Sequence, residues 1–325
     1  MPKPKLAVLG VGIMGRPIAE QFLRAKYPVA VYNRTFVKVA PLKKIGALVF
    51  RSPAEAIAFG DIILLLLSDA AAIKETLFTG LFPSKSRVEA SIRPFFSSGK
   101  GSIDFHSHAF NGRKVNNRDA PLEFKEKLVL QMGTIAPEES QDLERRIKIL
   151  GGQYAECPVL GSMAEAREGR LILMLGANTA QSKRLQPLLR VLGSPLDVGP
   201  VGSAALLKLC LNQLIALHIV AFTQSLALIE KNHLKVKLFM QVLRQSSLYA
   251  PMFDKKLARL LNHDYANPNF STAHMLKDVR LFIREAQSHG IETGVLKSIR
   301  KILEKTMEQG FAQSDYCALA EIVRG

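Results

Sequence analysis

The sequence predicts an α/β Rossmann-type, doubly wound N-terminal domain followed by an all-α C-terminal domain. Three observations carry this prediction. Short apolar or β-branched runs alternate with helical periodicity through the first half of the chain. A glycine-rich turn, Gly10-Val-Gly12-Ile13-Met14-Gly15, separates the first such run from the first helical stretch. From about residue 200 the strand patterns stop, and apolar residues recur at helical spacing.

In chain order, Leu6 to Leu9 reads as a strand, Met14 to Ala25 as a helix and Val29 to Tyr32 as the next strand. Ile62 to Leu67 is wholly apolar, as expected of a parallel strand covered on both faces. Lys127 to Met132 and Leu171 to Leu175 read as further strands. Residues 84–126 have weak periodicity and many turn formers, including Phe95-Phe-Ser-Ser-Gly-Lys-Gly, and are expected to form a surface insertion. Ser203 to Lys231 lacks Gly and Pro and predicts one helix about 43 Å long. Helical patterns follow at Val236 to Ser246, Met275 to His289 and Leu296 to Gln309. The expected division is a nucleotide-binding domain over 1–199 and a helical substrate and oligomerisation domain over 200–325, joined by the long helix.

A chain of 325 residues is long enough for two cores, and its 48% apolar and 22% charged residues suit a soluble globular protein. No apolar run reaches the roughly 18 residues of a membrane helix. Met1-Pro-Lys-Pro-Lys leads almost directly into a strand, so no signal peptide is expected. Cys157, Cys210 and Cys317 are widely spaced and odd in number, which predicts reduced thiols in a cytoplasmic protein. His106 and His108 lack a carboxylate or cysteine cluster, so no metal is expected. The net charge is +16, with ten Lys+Arg against two Asp+Glu in residues 1–60 and 18 against 11 in residues 184–325. Such a surface steers anionic small molecules. Without an aromatic-interleaved basic stripe, nucleic acid is the less favoured partner.

Each glycine of the turn has a physical role. Gly10 permits the tight turn, Gly12 lets the backbone approach a pyrophosphate, and Gly15 lets helix and strand pack closely. The helix N-terminus with Ile13 and Met14 then offers free N–H groups to phosphate. At the end of the second strand, where an NAD site usually places an acid on the ribose, stand Asn33-Arg34-Thr35. Arg34 can pair with a 2′-phosphate that an acid would repel, and Lys38, Lys43 and Lys44 add positive charge nearby. The expected cofactor is NADP(H) in preference to NAD.

The long helix opens with Gly199-Pro-Val-Gly202 and carries Lys208 among Leu206, Leu207, Leu209 and Leu211. A charge there is costly unless it faces a cleft or partner. Asn212, four residues on, shares its face. A lysine beside a nicotinamide can protonate an alkoxide as hydride arrives at a carbonyl carbon. From spacing alone, a snorkelling surface lysine fits equally well.

Four segments, in order along nearly the whole chain, resemble the β-hydroxyacid dehydrogenase family, which includes 3-hydroxyisobutyrate dehydrogenase and the glyoxylate/succinic semialdehyde reductases. They are Gly10 to Gly15 with Asn33-Arg34-Thr35; Pro158-Val-Leu160-Gly161-Ser162 through Glu165 and Gly169-Arg-Leu171; Gly199 to Asn212; and Phe270 with Leu276-Lys277-Asp278. The resemblance implies a helical domain like that of 6-phosphogluconate dehydrogenase and a catalytic role for Lys208. It implies substrate binding by Gly161, Ser162, Asn212 and Thr134. It implies cofactor contacts from Leu67, Ser68, Thr134, Phe270 and Lys277. It further implies a homodimer or homotetramer acting on a small molecule such as glyoxylate, succinic semialdehyde or 3-hydroxyisobutyrate. Two departures stand out. Leu160 occupies the position of the family's carboxylate-binding serine, and the family ordinarily lacks the 84–126 insertion. The rival expectations are an imine reductase-like enzyme, which usually lacks the lysine, and a non-catalytic NADP-binding module that docks on nucleic acid.

Overall fold

The computed structural model describes residues 2–78 and 124–325. Most of the 84–126 insertion, with His106 and His108, lies outside the described residues. The sheet strands are β1 (Leu6–Leu9), β2 (Val29–Tyr32), β3 (Leu48–Val49), β4 (Ile62–Leu65), β5 (Leu128–Gln131), β6 (Gln153–Glu156), β7 (Val159–Leu160), β8 (Leu171–Gly176) and β9 (Gly193–Gly199). The order is β3-β2-β1-β4-β5-β6-β8-β7, with β9 also paired to β8. The run β3-β2-β1-β4-β5-β6 is parallel throughout. This is the doubly wound order, whose direction reverses between β1 and β4 and opens a crevice at their carboxyl ends.

Helices cover both faces. They are α1 (Gly15–Arg24), α2 (Ala40–Lys44), α3 (Pro53–Phe59), α4 (Ala70–Phe78), α5 (Pro137–Ile149), α6 (Met163–Arg167) and α7 (Thr179–Leu189). Alternation along the strands divides the core. Leu6, Val8, Ile62 and Leu64 join the cluster that includes Ile18 and Phe22 of α1. Ala7, Leu9, Ile63 and Leu65 join the opposite cluster with Ile57 of α3 and Ile73 of α4. Both faces are dry, which is why β1 and β4 contain no polar residue.

The remaining helices are α8 (Ser203–Lys231), α9 (Val236–Gln245), α10 (Pro251–Asn262), α11 (Thr272–Ser288), α12 (Gly294–Thr306) and α13 (Ala320–Val323). They enclose a third core in which Ile219, Phe222 and Leu226 of α8 meet Met275, Val279 and Ile283 of α11. The expectation that no stretch has membrane length needs a correction. By length and composition α8 is apolar enough to cross a bilayer, although 39% of its most apolar window is buried within the fold.

The head of α8 is fixed by a residue of the sheet. Glu156 in β6 is buried, and its Oε1 accepts from the N–H groups of Gly202 (2.8 Å), Ala204 (2.8 Å) and Ala205 (3.1 Å). Its Oε2 accepts from the Ser140 hydroxyl, which also meets the Tyr154 hydroxyl at 2.9 Å. Helix N-termini leave such donors without partners, and a carboxylate also complements the helix dipole there. Burial pushes the Glu156 pKa up, against the pull of these donors.

Candidate functional site

The glycine turn leaves β1 at the point where the sheet order reverses. Gly10 has φ +100°, and a Cβ there would stand 2.4 Å from the Leu66 carbonyl oxygen. A Cβ on Gly15 would come within 1.9 Å of the Gly10 oxygen, whereas one on Gly12 would meet nothing within 4 Å. Gly10 and Gly15 therefore answer to the fold, and Gly12 borders open space. Met14, at the N-cap of α1, makes no side-chain cap. The N–H groups of Gly12, Ile13, Met14 and Gly15 find no acceptor among the described residues. Orphaned donors facing open space at a helix N-terminus fit the pyrophosphate of a dinucleotide.

Asn33 ties this turn to the end of β2. Its Oδ1 accepts from Val11 N at 2.9 Å, and its Nδ2 donates to the Thr35 oxygen at 2.9 Å. Arg34 is exposed and has no acidic partner among the described residues. Residues 21–54 contain seven Lys+Arg and no acid, so the potential around Arg34 is positive. Beyond β4, Leu67 and Ser68 precede the cap of α4, where Asp69 accepts from Ala72 N at 2.8 Å and from the Ser68 hydroxyl at 2.9 Å. A Cβ on Gly133 would lie 2.9 Å from the Leu67 oxygen, which favours glycine at that position.

Four of the expected residues converge between α8 and α11. Lys208 and Asn212 share a buried face of α8. Asn212 Nδ2 donates to Asp278 Oδ2 at 2.6 Å, and Asn212 Oδ1 is buried with no partner. Lys277 Nζ donates to the Thr134 oxygen at 2.6 Å and pairs with Asp278 Oδ1 at 2.7 Å. This joins the C-terminal helices to the loop after β5. Among the described residues, no hydrogen bond holds the Lys208 ammonium. Desolvation pulls its pKa down to about 8, with Asp278 opposing and Lys277 reinforcing the drop. An amine titrating near neutrality, beside an unpartnered amide oxygen, can both give and take a proton at physiological pH. Phe270 lies two residues before α11, held by Tyr316 N on its carbonyl (3.2 Å) and by the Tyr316 ring at 5.8 Å.

The loop carrying Gly161 and Ser162 is braced by its own polar groups. Ser162 caps α6, and its hydroxyl oxygen accepts from Ala164 N at 3.2 Å. Its own N–H (2.8 Å) and O–H both donate to Glu165 Oε2. Glu165 Oε1 reaches Lys255 of α10 at 3.0 Å. The Ser162 hydroxyl and the Lys255 ammonium hold the Glu165 carboxyl down to about 2. The Ser162 donors are thus engaged within the loop, and no hydrogen bond or ion pair joins Ser162 to the Lys208 group.

Sequence reading left three contributors unassigned. Asp278 stands in a quoted motif and pairs with both Asn212 and Lys277. Gln131 braces the loop after β5, with its Oε1 accepting from Gly133 N at 2.5 Å. Glu156 fixes the helix that carries Lys208. Only Asp278 carried a sequence signal, as an acid beside a lysine on an otherwise apolar helix face.

A family model for the NAD-binding domain of 6-phosphogluconate dehydrogenase matches residues 5–94 and 117–202. One for the NAD-binding of NADP-dependent 3-hydroxyisobutyrate dehydrogenase matches residues 202–323. The gap between the matched parts, 95–116, falls inside the expected insertion. Glyoxylate/succinic semialdehyde reductase 1 of Arabidopsis thaliana is 28% identical over 98% of this chain and 98% of its own. The cytokine-like nuclear factor N-PAC of Drosophila melanogaster is 24% identical over 96% of this chain but only 46% of its own. Among solved structures, 3-hydroxyisobutyrate dehydrogenase from Salmonella typhimurium superposes with a TM-score of 0.78 at 18% identity, over 98% of this chain and 100% of that one.

Proposed function

From a chain that belongs to the β-hydroxyacid dehydrogenase family of NAD(P)-dependent oxidoreductases, we propose an NADPH-dependent reductase of a small aldehyde acid, with Lys208 as its general acid. The observation that carries this reading is the buried Lys208 ammonium, unpaired and poised near neutrality, between Asn212 and the Lys277–Asp278 pair.

The nicotinamide, when bound, supplies the hydride that reaches the carbonyl carbon. Lys208 transfers a proton to the carbonyl oxygen as the C=O bond becomes C–OH, and the resulting neutral amine recovers its proton from solvent. Asn212, oriented by Asp278, offers its free Oδ1 as an acceptor to the nascent hydroxyl. Lys277 holds Thr134 in place beside the reacting centre. In the reverse direction the neutral lysine serves as base. The turn from Gly10 to Gly15 cradles the pyrophosphate, and Leu67 and Ser68 border the dinucleotide. Arg34 pairs with the 2′-phosphate, which makes NADP(H) the preferred cofactor and NAD the weaker one.

Glyoxylate and succinic semialdehyde are the substrates to try first, because they are named in the full-length relative from Arabidopsis thaliana. Leu160 replaces the family's serine, and Ser162 is engaged with Glu165, so the substrate carboxylate has to be held with fewer side-chain donors.

A panel of NADPH oxidation rates with glyoxylate, succinic semialdehyde, methylmalonate semialdehyde and a cyclic imine, with NADH alongside, tests the reading. Lys208→Ala should abolish turnover and leave NADPH affinity nearly intact. Arg34→Ala should weaken NADPH more than NADH, and equal losses would remove its phosphate role. Turnover confined to the imine, or dinucleotide binding with no turnover and retention of duplex DNA at physiological salt, would replace this function with one of its rivals.

A further inference from the structure

Residues 36–51 contain only apolar residues, glycine, proline and four cations, Lys38, Lys43, Lys44 and Arg51. No acidic or neutral polar side chain occurs in the run. It folds as a 3-10 turn (Phe36–Val39), α2 and β3, the outermost strand at one end of the sheet. Val39, Leu42 and Ala47 turn inward and join the core that α1 covers. The rest stays outside: Phe36 is 43% exposed, Val37 73%, Ile45 53% and Leu48 48%, and all four cations are exposed among them. A Cβ on Gly46 would meet nothing within 4 Å, so the turn between Ile45 and Leu48 borders open space. Single apolar residues are ordinary on a surface, but four on one short stretch of sheet edge form a patch.

Charge and composition together identify what fits this edge. No acid lies between Glu20 and Glu55, a span that holds seven Lys and Arg, so the complementary partner is anionic. Arg51 Cζ lies 4.6 Å from the centre of the Phe36 ring, so cation and apolar surface are interleaved and not set apart. A nucleic acid takes its affinity from phosphates, and it would leave Val37, Ile45 and Leu48 against a polar backbone. An anionic bilayer surface uses both kinds of residue. Apolar side chains enter the boundary between headgroups and acyl chains, while lysine and arginine meet the headgroups. The long lysine stems lie along the apolar layer and keep their ammonium groups outside it. The dinucleotide crevice opens between β1 and β4, two strands inward from β3, so contact at this edge is separate from it.

We propose that the sheet edge formed by residues 36–51 docks on an anionic lipid surface, with Val37, Ile45 and Leu48 entering the headgroup boundary and Lys38, Lys43 and Lys44 meeting lipid phosphates. The contact is peripheral: it uses the edge of the sheet and no membrane-spanning element. The proposal goes beyond the assigned reaction and does not depend on it.

Flotation of the whole chain with phosphatidylcholine/phosphatidylglycerol vesicles at about 0.1 M salt, where charges act over about 10 Å, tests this. Wild type is expected to float with these vesicles and to stay behind with phosphatidylcholine alone. Ile45→Ser/Leu48→Ser removes apolar area at two exposed positions without changing charge. Its circular dichroism and NADPH titration should match wild type, while its vesicle affinity falls about tenfold. Lys43→Gln/Lys44→Gln should lower vesicle affinity by at least about as much. Leu214→Ser/Leu228→Ser, on the exposed side of the apolar helix α8, should float like wild type. The proposal is overturned by a wild type that does not float or floats equally with phosphatidylcholine alone, by a folded Ile45→Ser/Leu48→Ser that floats like wild type, or by a Leu214→Ser/Leu228→Ser that no longer floats. Binding to duplex DNA that weakens in the Ile45→Ser/Leu48→Ser variant as much as vesicle binding does would overturn it too.

Discussion

Replacing Lys208 by Met removes the proton donor of the proposed reaction and relieves the fold of a buried charge. The lysine is buried on α8 without a hydrogen-bond acceptor, and desolvation takes its pKa from 10.5 to about 8. At 1.36 kcal/mol per pH decade, that drop means a cost of about 3 kcal/mol for keeping the ammonium charged in the folded protein near neutral pH. Methionine has similar length and no charge, and Lys277 still neutralises Asp278. The folded pKa lies below the unfolded one, so between about 8 and 10.5 the unfolded chain holds the extra proton and wild-type stability rises with pH. The advantage of Lys208→Met should therefore be full below about pH 8, shrink through that window and vanish above it. Thermal unfolding followed by circular dichroism at pH 7 and pH 10.5 measures this, with the variant expected to melt several degrees higher only at the lower pH. Its reductase rate should fall by about 10²–10⁴-fold, the usual share of a positioned acid. A variant that melts at or below wild type at pH 7 would refute the picture of a strained ammonium, whatever happens to the rate.

Reduction should also lose rate as pH rises through about 8, and oxidation should gain it, because the two directions need opposite forms of Lys208. Coincident profiles in both directions would rule that out. The glycines should separate by readout. Gly15→Ala brings a Cβ to 1.9 Å from the Gly10 oxygen and should cripple folding, whereas Gly12→Ala meets open space, so it should fold normally and lose dinucleotide affinity by fluorescence titration. Glu156→Gln keeps an acceptor for the head of α8 and should unfold in urea close to wild type. Glu156→Leu strands three N–H donors at about 1–3 kcal/mol each and should shift the midpoint strongly. Lys256 and Asp315 form a buried pair at 2.8 Å, so Lys256→Met alone should cost about 3–5 kcal/mol in denaturant unfolding. The double variant Lys256→Met/Asp315→Asn should recover most of that loss.

What the sequence made legible follows its physical periodicities. The apolar-periodic, Gly- and Pro-free stretch defined α8 to the residue, because nothing local competes with a helix there. The glycine turn was equally readable, since each missing Cβ answers to a specific neighbour or to free space. Edge strand β9 (Gly193–Gly199) was not, because four of its seven residues are exposed and its register comes from pairing with β8. Glu156 was hidden for a related reason: its partners are backbone donors 46 to 49 residues away, and backbone has no sequence signal. Ser162 shows the converse. Its spacing to Glu165 is that of a capping box, a local helix-start signal that coincides with the loop expected to hold substrate, and the structure shows the cap.

The fixing of the head of α8 by the sheet has a mechanical consequence. With Glu156 gripping the first turn, the sheet-side end of α8 becomes the fulcrum of a lever about 43 Å long. Lys208 sits about 7.5 Å from that fulcrum, so a tilt of about 5° displaces it by well under 1 Å, while the far end at Lys231 travels nearly 4 Å. Lys208, the proposed proton donor, is thus registered to the dinucleotide-binding sheet through Glu156 and to α11 through Asn212 and Asp278.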